Sequence, residues 1–383
     1  MKDKIPLCKI DTGEEELHLI KEVLESGWLA HGPKVKKFEE DFAKFIGVPH
    51  AIALNSCASA LQAALMAYEF QKGTEVILPS FTFPASANAI HNAGLKPVFA
   101  EIREDTFNLD VGDLERRINQ NTVAIMPVHF AGQSCEMDTI MELAKKNDIV
   151  VIEDSAEAIG STYNGIKTGA FGVGCFSFYP TKNLTTGEGG MVTTSDKEIA
   201  EKVKAIRGHG IGTGAYEREK MTTPWIRVTT TEGYNFRMCE PLAAIGIAQL
   251  RKLKEMNIKR RENSQYLNDR LDGIEEISIP VELPNAIHTY QMYVIKLDEK
   301  VDRNSFVTKL RERGIEASVH FYPAVHLHDF YQSRFGYREG DLPITEMVSK
   351  KVVTLPMFPS LTKDQLDRIV DGVKSSLTDS YKK

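Results

Sequence analysis

Cysteine is scarce in this chain: Cys8, Cys57, Cys135, Cys175 and Cys239 are the five among 383 residues, and no two form a C-x-x-C pair. An odd, dispersed set excludes a disulfide scaffold and favours reduced thiols, so a cytoplasmic protein is expected. A basic excess is missing too, since 47 Lys and Arg stand against 53 Asp and Glu for a net charge of −6. That is the wrong sign for a nucleic-acid-binding face. No long apolar run exists either. Phe45 to Tyr68 carries no Lys, Arg, Asp or Glu, yet Pro49, His50, Asn55, Ser56, Ser59 and Gln62 interrupt it. A bilayer span needs about 20 predominantly apolar residues, so no membrane segment is expected. The start, Met1-Lys-Asp-Lys-Ile-Pro6, shows no secretory pattern. Internal repeats, low-complexity tracts and a Walker G-x-x-x-x-G-K-[ST] motif are likewise missing.

What is present is a globular composition, 42% hydrophobic, in a chain long enough for a large domain and a smaller companion. Between residues 50 and 200 short apolar runs alternate with helical periodicity, the signature of a mostly parallel sheet covered on both faces. Strands are expected at Ala51 to Leu54, Glu75 to Leu78, Lys96 to Ala100, Ala124 to Val128, Ile149 to Ile152 and Gly174 to Tyr179. Stripes of apolar residues place helices at Ser59 to Phe70, Met137 to Asn147 and Lys197 to Arg207. A long helix begins near Pro241 and runs past Arg261. Beyond about residue 275, strands at Gln291 to Leu297 and Glu316 to His320 flank helices at Arg303 to Arg313 and Thr362 to Ser376. The expected division is a large α/β unit over residues 1–250, N-terminal segment included, and a smaller α+β unit over 251–383.

Two segments carry chemistry. In Val150-Val-Ile-Glu-Asp154-Ser-Ala-Glu157-Ala-Ile-Gly160 an apolar strand delivers a carboxylate to its C-terminal end, where ligands of open α/β sheets collect. Such an acid more often caps a following helix. Twenty-eight residues on, Lys182 follows a second apolar strand and opens into the turn Gly187-Glu188-Gly189-Gly190. There backbone can approach a flat ligand closely. A lysine in a dry site loses its proton more easily, which Schiff-base chemistry requires. An exposed loop lysine is the plainer alternative. Asn55-Ser56-Cys57-Ala58-Ser59 joins a strand to a helix, so the Cys57 and Ala58 N–H groups can face an anion.

Glu153-Asp154-x-Ala156-Glu157-Ala158-x-Gly160 and Ser177-Phe178-x-x-x-Lys182-Asn183-x-x-x-Gly187-x-Gly189-Gly190 resemble the signature of the DegT/DnrJ/EryC1/StrS nucleotide-sugar aminotransferases, enzymes of pyridoxal 5′-phosphate (PLP) fold type I. Trp28 to Gly32, Pro79 to Phe83, Val128-His129-Phe130-Ala131-Gly132, Gly233 to Met238 and His320-Phe321-Tyr322-Pro323 extend the likeness over nearly the whole chain, in the family's order.

The resemblance implies the following roles. Lys182 forms the Schiff base with PLP and shuttles the proton, while Asp154 keeps the ring nitrogen protonated. Ser56, Cys57, Ala58 and Ser177 hold the phosphate. Where the family usually shows Gly-Thr this chain has Cys57-Ala58, which keeps the backbone donors and loses a threonine hydroxyl. Phe83 covers the cofactor face, and Glu157, where many relatives carry Gln or His, sits near the phenolic oxygen. Asn235 of a neighbouring subunit reaches the phosphate, which implies a homodimer with shared sites. Trp28, His31, His320, Tyr322 and His326 are the candidate contacts to a nucleotide sugar, with L-glutamate as amino donor.

Two alternatives are a PLP-dependent sugar dehydratase, in which His replaces the Schiff-base lysine, and a regulatory homologue without turnover. Retention of Lys182 opposes the first, and the joint presence of Asp154, Ser177, Lys182 and Asn235 opposes the second. Gly208-x-Gly210-x-Gly212-x-Gly214 follows a helix and lacks dinucleotide spacing. His326-Leu-His328-Asp329 lacks a third placed partner, so no metal is expected. The six basic residues between Arg251 and Asn263 read as a solvated helix face, or more sharply as a diphosphate contact.

Overall fold

Apolar runs bounded by Gly, Asn and Asp become strands, and the segments between them become helices, in a computed structural model that describes residues 4–212, 214–223 and 225–381. Thr213 of the glycine-rich loop and the first three and last two residues lie outside that set. α1 (Glu14–Ser26) and α2 (Pro33–Ile46) precede β1 (His50–Leu54). Then α3 (Cys57–Ala67), β2 (Glu75–Pro79), α4 (Pro84–Asn92), β3 (Lys96–Ala100), α5 (Val111–Arg117), β4 (Thr122–Ile125), α6 (Met137–Lys146) and β5 (Val150–Asp154) alternate. The short β6 (Thr162–Tyr163) and β7 (Ile166–Lys167) lead to β8 (Val173–Ser177), β9 (Gly190–Thr194), α7 (Lys197–Arg207) and α8 (Ala215–Arg218).

The seven-stranded sheet has the order β1-β9-β8-β5-β4-β2-β3. Six strands run one way and β9 runs against both its neighbours, β1 and β8. β9 is absent from the strands expected above because Gly190-Met-Val-Thr-Thr194 is not an apolar run. It is nonetheless wholly buried. α3 opens two residues earlier than its apolar stripe: Ser56 caps it with an extended backbone, and Ser56 Oγ accepts the Ser59 N–H at 3.1 Å.

The second part of the chain holds α9 (Glu240–Leu271), β10 (Ile277–Ser278), β11 (Ala286–Ile287), β12 (Tyr293–Leu297), α10 (Arg303–Glu312), α11 (Asp329–Phe335), α12 (Pro343–Lys351), β13 (Val352–Leu355) and α13 (Lys363–Thr378). β10, β12 and β13 form a three-stranded sheet with its own core, which includes Leu267, Tyr293, Phe306 and Ile369. Glu316 to His320 is not a strand: it contributes one bridge, Ser318 to Thr354, while β13 supplies the pairing with β12. The N-terminal segment also departs from expectation. Ile5 donates to Gly314 O at 2.8 Å, Met357 donates to Leu7 O at 3.1 Å, and Ile5 lies in the second core. Residues 5–7 therefore pack beside residues 314 and 357. Among the described residues no helix is long and apolar enough to cross a membrane.

Candidate active site

β9 is antiparallel, so its first residue lies at the same sheet edge as the last residues of the others. Gly190 pairs with Leu54 and with Ser177, and Asp154 pairs with Cys175. Carboxyl edges of open sheets gather ligands because helix N-termini and loops converge there. At this edge lies a cavity of about 490 Å³, within the usual size for a cofactor or drug-sized ligand. Leu7, Cys8, Gln291, His320 and Met357 line it together with residues from the carboxyl edge of the seven-stranded sheet.

Asp154, which lines the cavity, is buried, with Oδ2 accepting from Ser86 Oγ at 2.7 Å and Oδ1 from the Ala156 N–H at 3.2 Å. Burial pushes its carboxyl above the usual range. Ser86 and the Ala156 N–H oppose that shift, as does Lys182, and Glu157 adds to it. The neighbouring backbone is locked as well, since the Asp154 N–H donates to Pro127 O at 2.9 Å and the His129 N–H to Asp154 O at 3.1 Å. Glu153 anchors the strand from behind: it accepts N–H groups of Gly169, Phe171 and Gly172 at 2.7–2.9 Å and lies 3.0 Å from His129 Nε2. The Cys135 N–H occupies His129 Nδ1 at 3.1 Å, so Nε2 carries the proton that Glu153 accepts.

Lys182 stands on the loop between β8 and β9, and its Nζ lies 3.1 Å from Glu157 Oε1. The other Glu157 oxygen accepts the Ala131 N–H at 2.9 Å. Both neighbours of the lysine are tied to other elements. Gln291 donates to Thr181 O at 2.9 Å, and Asn183 donates to Asn257 Oδ1 of α9 at 2.7 Å. His320 lines the same space with Nδ1 2.8 Å from Thr354 Oγ1, and burial lowers its pKa.

The third component is the start of α3. Ser56 Oγ takes the Ser59 N–H, and Ala60 N–H closes the first helical bond to Ser56 O at 3.1 Å. The Cys57 and Ala58 N–H groups are left for an anion. This first turn rests on Gly190, where an added Cβ would lie 2.3 Å from Ser56 C and O and 2.6 Å from Cys57 N. Burial, with Asp154 nearby, pushes the Cys57 thiol well up, so it stays protonated.

The cavity thus gathers Ser56, Cys57, Ala58, Phe83, Asp154, Glu157, Ser177, Lys182 and His320. Phe83 is 63% exposed, its ring 6.3 Å from that of Phe321. Five expected residues do not line it within one chain. Asn235 is exposed, and its carbonyl meets Asn55 Nδ2 at 3.4 Å. Trp28 donates to His31 O at 3.1 Å and packs edge-on against Tyr216, while His31 faces Glu39 at 3.9 Å. Tyr322 is 53% exposed, and the Arg303 guanidinium covers its ring. His326 is fully buried between Ser80 Oγ at 2.7 Å and Glu346 Oε1 at 3.1 Å. Both of its ring nitrogens are engaged, and it does not line the cavity of its own chain. His328 turns instead to Pro323 O. The basic stretch of α9 pairs outward or is buried: Arg251 meets Glu15, Lys252 meets Glu16, Arg261 meets Glu282, and Arg260 lies against backbone carbonyls. Ser86, Thr82 and Gln291 line the cavity without having been singled out in the sequence. Only the spacing of Thr82 and Ser86, four apart at a helix start, could have hinted at them.

An open α/β sheet that holds an amine, a buried carboxylate and a bare helix N-terminus around one cavity has the parts of a group-transfer enzyme acting through a small anionic ligand. The chain belongs to the DegT/DnrJ/EryC1/StrS aminotransferase family, whose model matches residues 10–374. It is 41% identical over 367 residues to the spore coat polysaccharide biosynthesis protein SpsC of Bacillus subtilis, covering 94% of each chain. Among solved structures, Helicobacter pylori PseC, an aminotransferase of pseudoaminic acid biosynthesis, superposes with a TM-score of 0.92 at 30% identity, over 98% of this chain and 100% of that one. Spr1654 of Streptococcus pneumoniae, solved in a PLP form and a PMP form, matches with a TM-score of 0.91 at 27% identity, over 98% of this chain and 98–99% of that one.

Proposed function

We propose that the protein binds PLP through Lys182 and transfers an amino group from L-glutamate to a keto group of a nucleotide-linked deoxysugar. The single observation that carries this is that Lys182 and Asp154 line one cavity, the amine beside Glu157 and the carboxylate beside Ser86. The residues fit the cofactor by their chemistry. Asp154 is a buried carboxylate whose hydrogen-bonding partners here are both neutral donors, an environment that a ring N–H⁺ would complete. The N–H groups at the start of α3 with Ser56 and Ser177 suit a phosphate, and Gly190 leaves room for that turn.

Bound PLP supplies an aldehyde that condenses with amines and a ring that draws electrons from the adjoining carbon. The protein does the rest. Asp154 would hold a proton at the ring nitrogen, and Lys182 Nζ would move a proton between the substrate carbon and the adjoining cofactor carbon in each half-reaction, in opposite directions for donor and acceptor. Glu157 orients the amine, and Phe83, His320 and Phe321 line the space beside it. Asn235 of a second subunit completes the phosphate site in a homodimer, which accounts for its position outside the cavity of its own chain. The retained Lys182 separates this reading from that of a dehydratase.

The test is reconstitution with PLP, borohydride reduction and peptide mass analysis, followed by glutamate and a panel of UDP-, GDP- and dTDP-keto sugars. Expected are a PLP adduct on Lys182 and a gain of one amine on one sugar class. Lys182→Ala should abolish both. An adduct elsewhere, or turnover that survives in that variant, would reject the assignment.

A further inference from the structure

We infer that Ser86, backed by Thr82, is a positioning residue that holds Asp154 as an aimed carboxylate for the cofactor ring nitrogen; this rests on the PLP reading above. The geometry is a chain of two hydroxyls. Ser86 Oγ lies 2.7 Å from Asp154 Oδ2, and Thr82 Oγ1 lies 2.8 Å from Ser86 Oγ. Ser86 has one proton and three acceptors in reach, Asp154 Oδ2 at 2.7 Å, Thr82 Oγ1 at 2.8 Å and Phe83 O at 3.2 Å. The carboxylate is the stronger and nearer acceptor, so Ser86 donates to it and Thr82 in turn donates to Ser86. Thr82 and Ser86 are each 1% exposed, so their hydroxyls depend on one another and on Asp154 for partners.

The pair has a physical reason to exist. A carboxylate this deep is disfavoured as an anion, and the groups facing it pull in different directions. Lys182 favours the charge, Glu157 opposes it, and the neutral thiols of Cys57 and Cys175 lie close by. Ser86 and the Ala156 N–H supply the hydrogen bonds that favour the ionised form before any ring cation arrives. Phe83 caps α4, and Ser86 occupies its third residue, so the same short segment sets both the ring that lines the cavity and the hydroxyl that grips the acid.

The experiment compares the native protein with Ser86→Ala and with the near-isosteric Thr82→Val, which spares the Ser86–Asp154 contact and guards against a folding failure. In the cofactor-free proteins, the infrared band of the protonated Asp154 carboxyl, assigned with Asp154→Asn, should persist to higher pH in Ser86→Ala, and less so in Thr82→Val. PLP affinity at neutral pH should fall about tenfold to a hundredfold in Ser86→Ala. The 1-deaza analogue of PLP, with carbon in place of the ring nitrogen, should bind native and variant alike. An unmoved carboxyl band, or an equal loss with the deaza analogue, would overturn the inference. If the native protein binds no PLP, the functional reading falls, and the carboxyl band still decides whether Ser86 holds Asp154 ionised.

Discussion

Gly190→Ala probes the phosphate cradle most directly. A single methyl placed there would sit 2.3 Å from Ser56 C and O and 2.6 Å from Cys57 N, whereas carbon contacts settle near about 3.5 Å. Relief requires a shift on the order of 1 Å. Gly190 itself cannot supply it, since it pairs with Leu54 on one side and Ser177 on the other. The first turn of α3 must therefore move, and it carries the Cys57 and Ala58 N–H groups with it. A displacement of about 1 Å in a positioning element can cost on the order of 10²-fold, and the added strain about 1–3 kcal/mol of stability. Equilibrium titration should show roughly hundredfold weaker binding of PLP and little change for pyridoxal, which lacks the phosphate. Gly13→Ala, which meets nothing within 4 Å, should behave as native. Native PLP affinity in Gly190→Ala, or an equal loss for pyridoxal, would refute the argument.

The remaining expectations concern charge, assembly and the core. Asp154 is raised in the folded apoprotein, so between its unfolded value near about 3.9 and that raised value the native state binds more protons than the unfolded one. Its contribution to apoprotein stability is thus greatest at low pH and is lost as pH rises through that window. Asp154→Asn should flatten that part of the Tm-against-pH curve and cost several orders of magnitude in turnover; an unchanged slope counts against the assignment. Asn235→Ala should weaken cofactor retention, and mixing it with Lys182→Ala should restore partial activity through hybrid dimers. Mixtures no better than their parents would dismiss shared sites. His326→Ala should lower stability by about 2 kcal/mol or more, because Ser80 and Glu346 lose a buried partner, with the KM for sugar unchanged. A raised KM without a Tm change would place His326 at the substrate site.

Much of this was readable from residue order because the chemistry sits where the pattern is strongest. Val150 to Asp154 is an apolar run ending in an acid, and its pairing with β8 then places Ser177 and the Lys182 loop nearby. Where pattern and burial part company, reading failed. β9 is buried yet carries Gly190, Thr193 and Thr194, so its polarity hides it. β13 follows α12 without an intervening turn, leaving no punctuation to mark it. For His326, sequence cannot show that both ring nitrogens are already engaged. For Ser86 the spacing to Thr82 hints only at a hydroxyl pair, because its partner Asp154 lies 68 residues away.

α9 has a final implication for anyone recombining these proteins. It is a single 32-residue helix, about 48 Å of continuous rod at 1.5 Å per residue. Its early turns are wedged against α1 and α2, and its last turns are embedded in the second core. A chimaera joining the front of one relative to the back of another must be spliced inside this rod, where each inserted or deleted residue turns everything downstream by about 100°. Gln291, His320 and Thr354 would swing off the cavity together, so splice points that keep helical phase, and not sequence similarity at the seam, would decide which hybrids work.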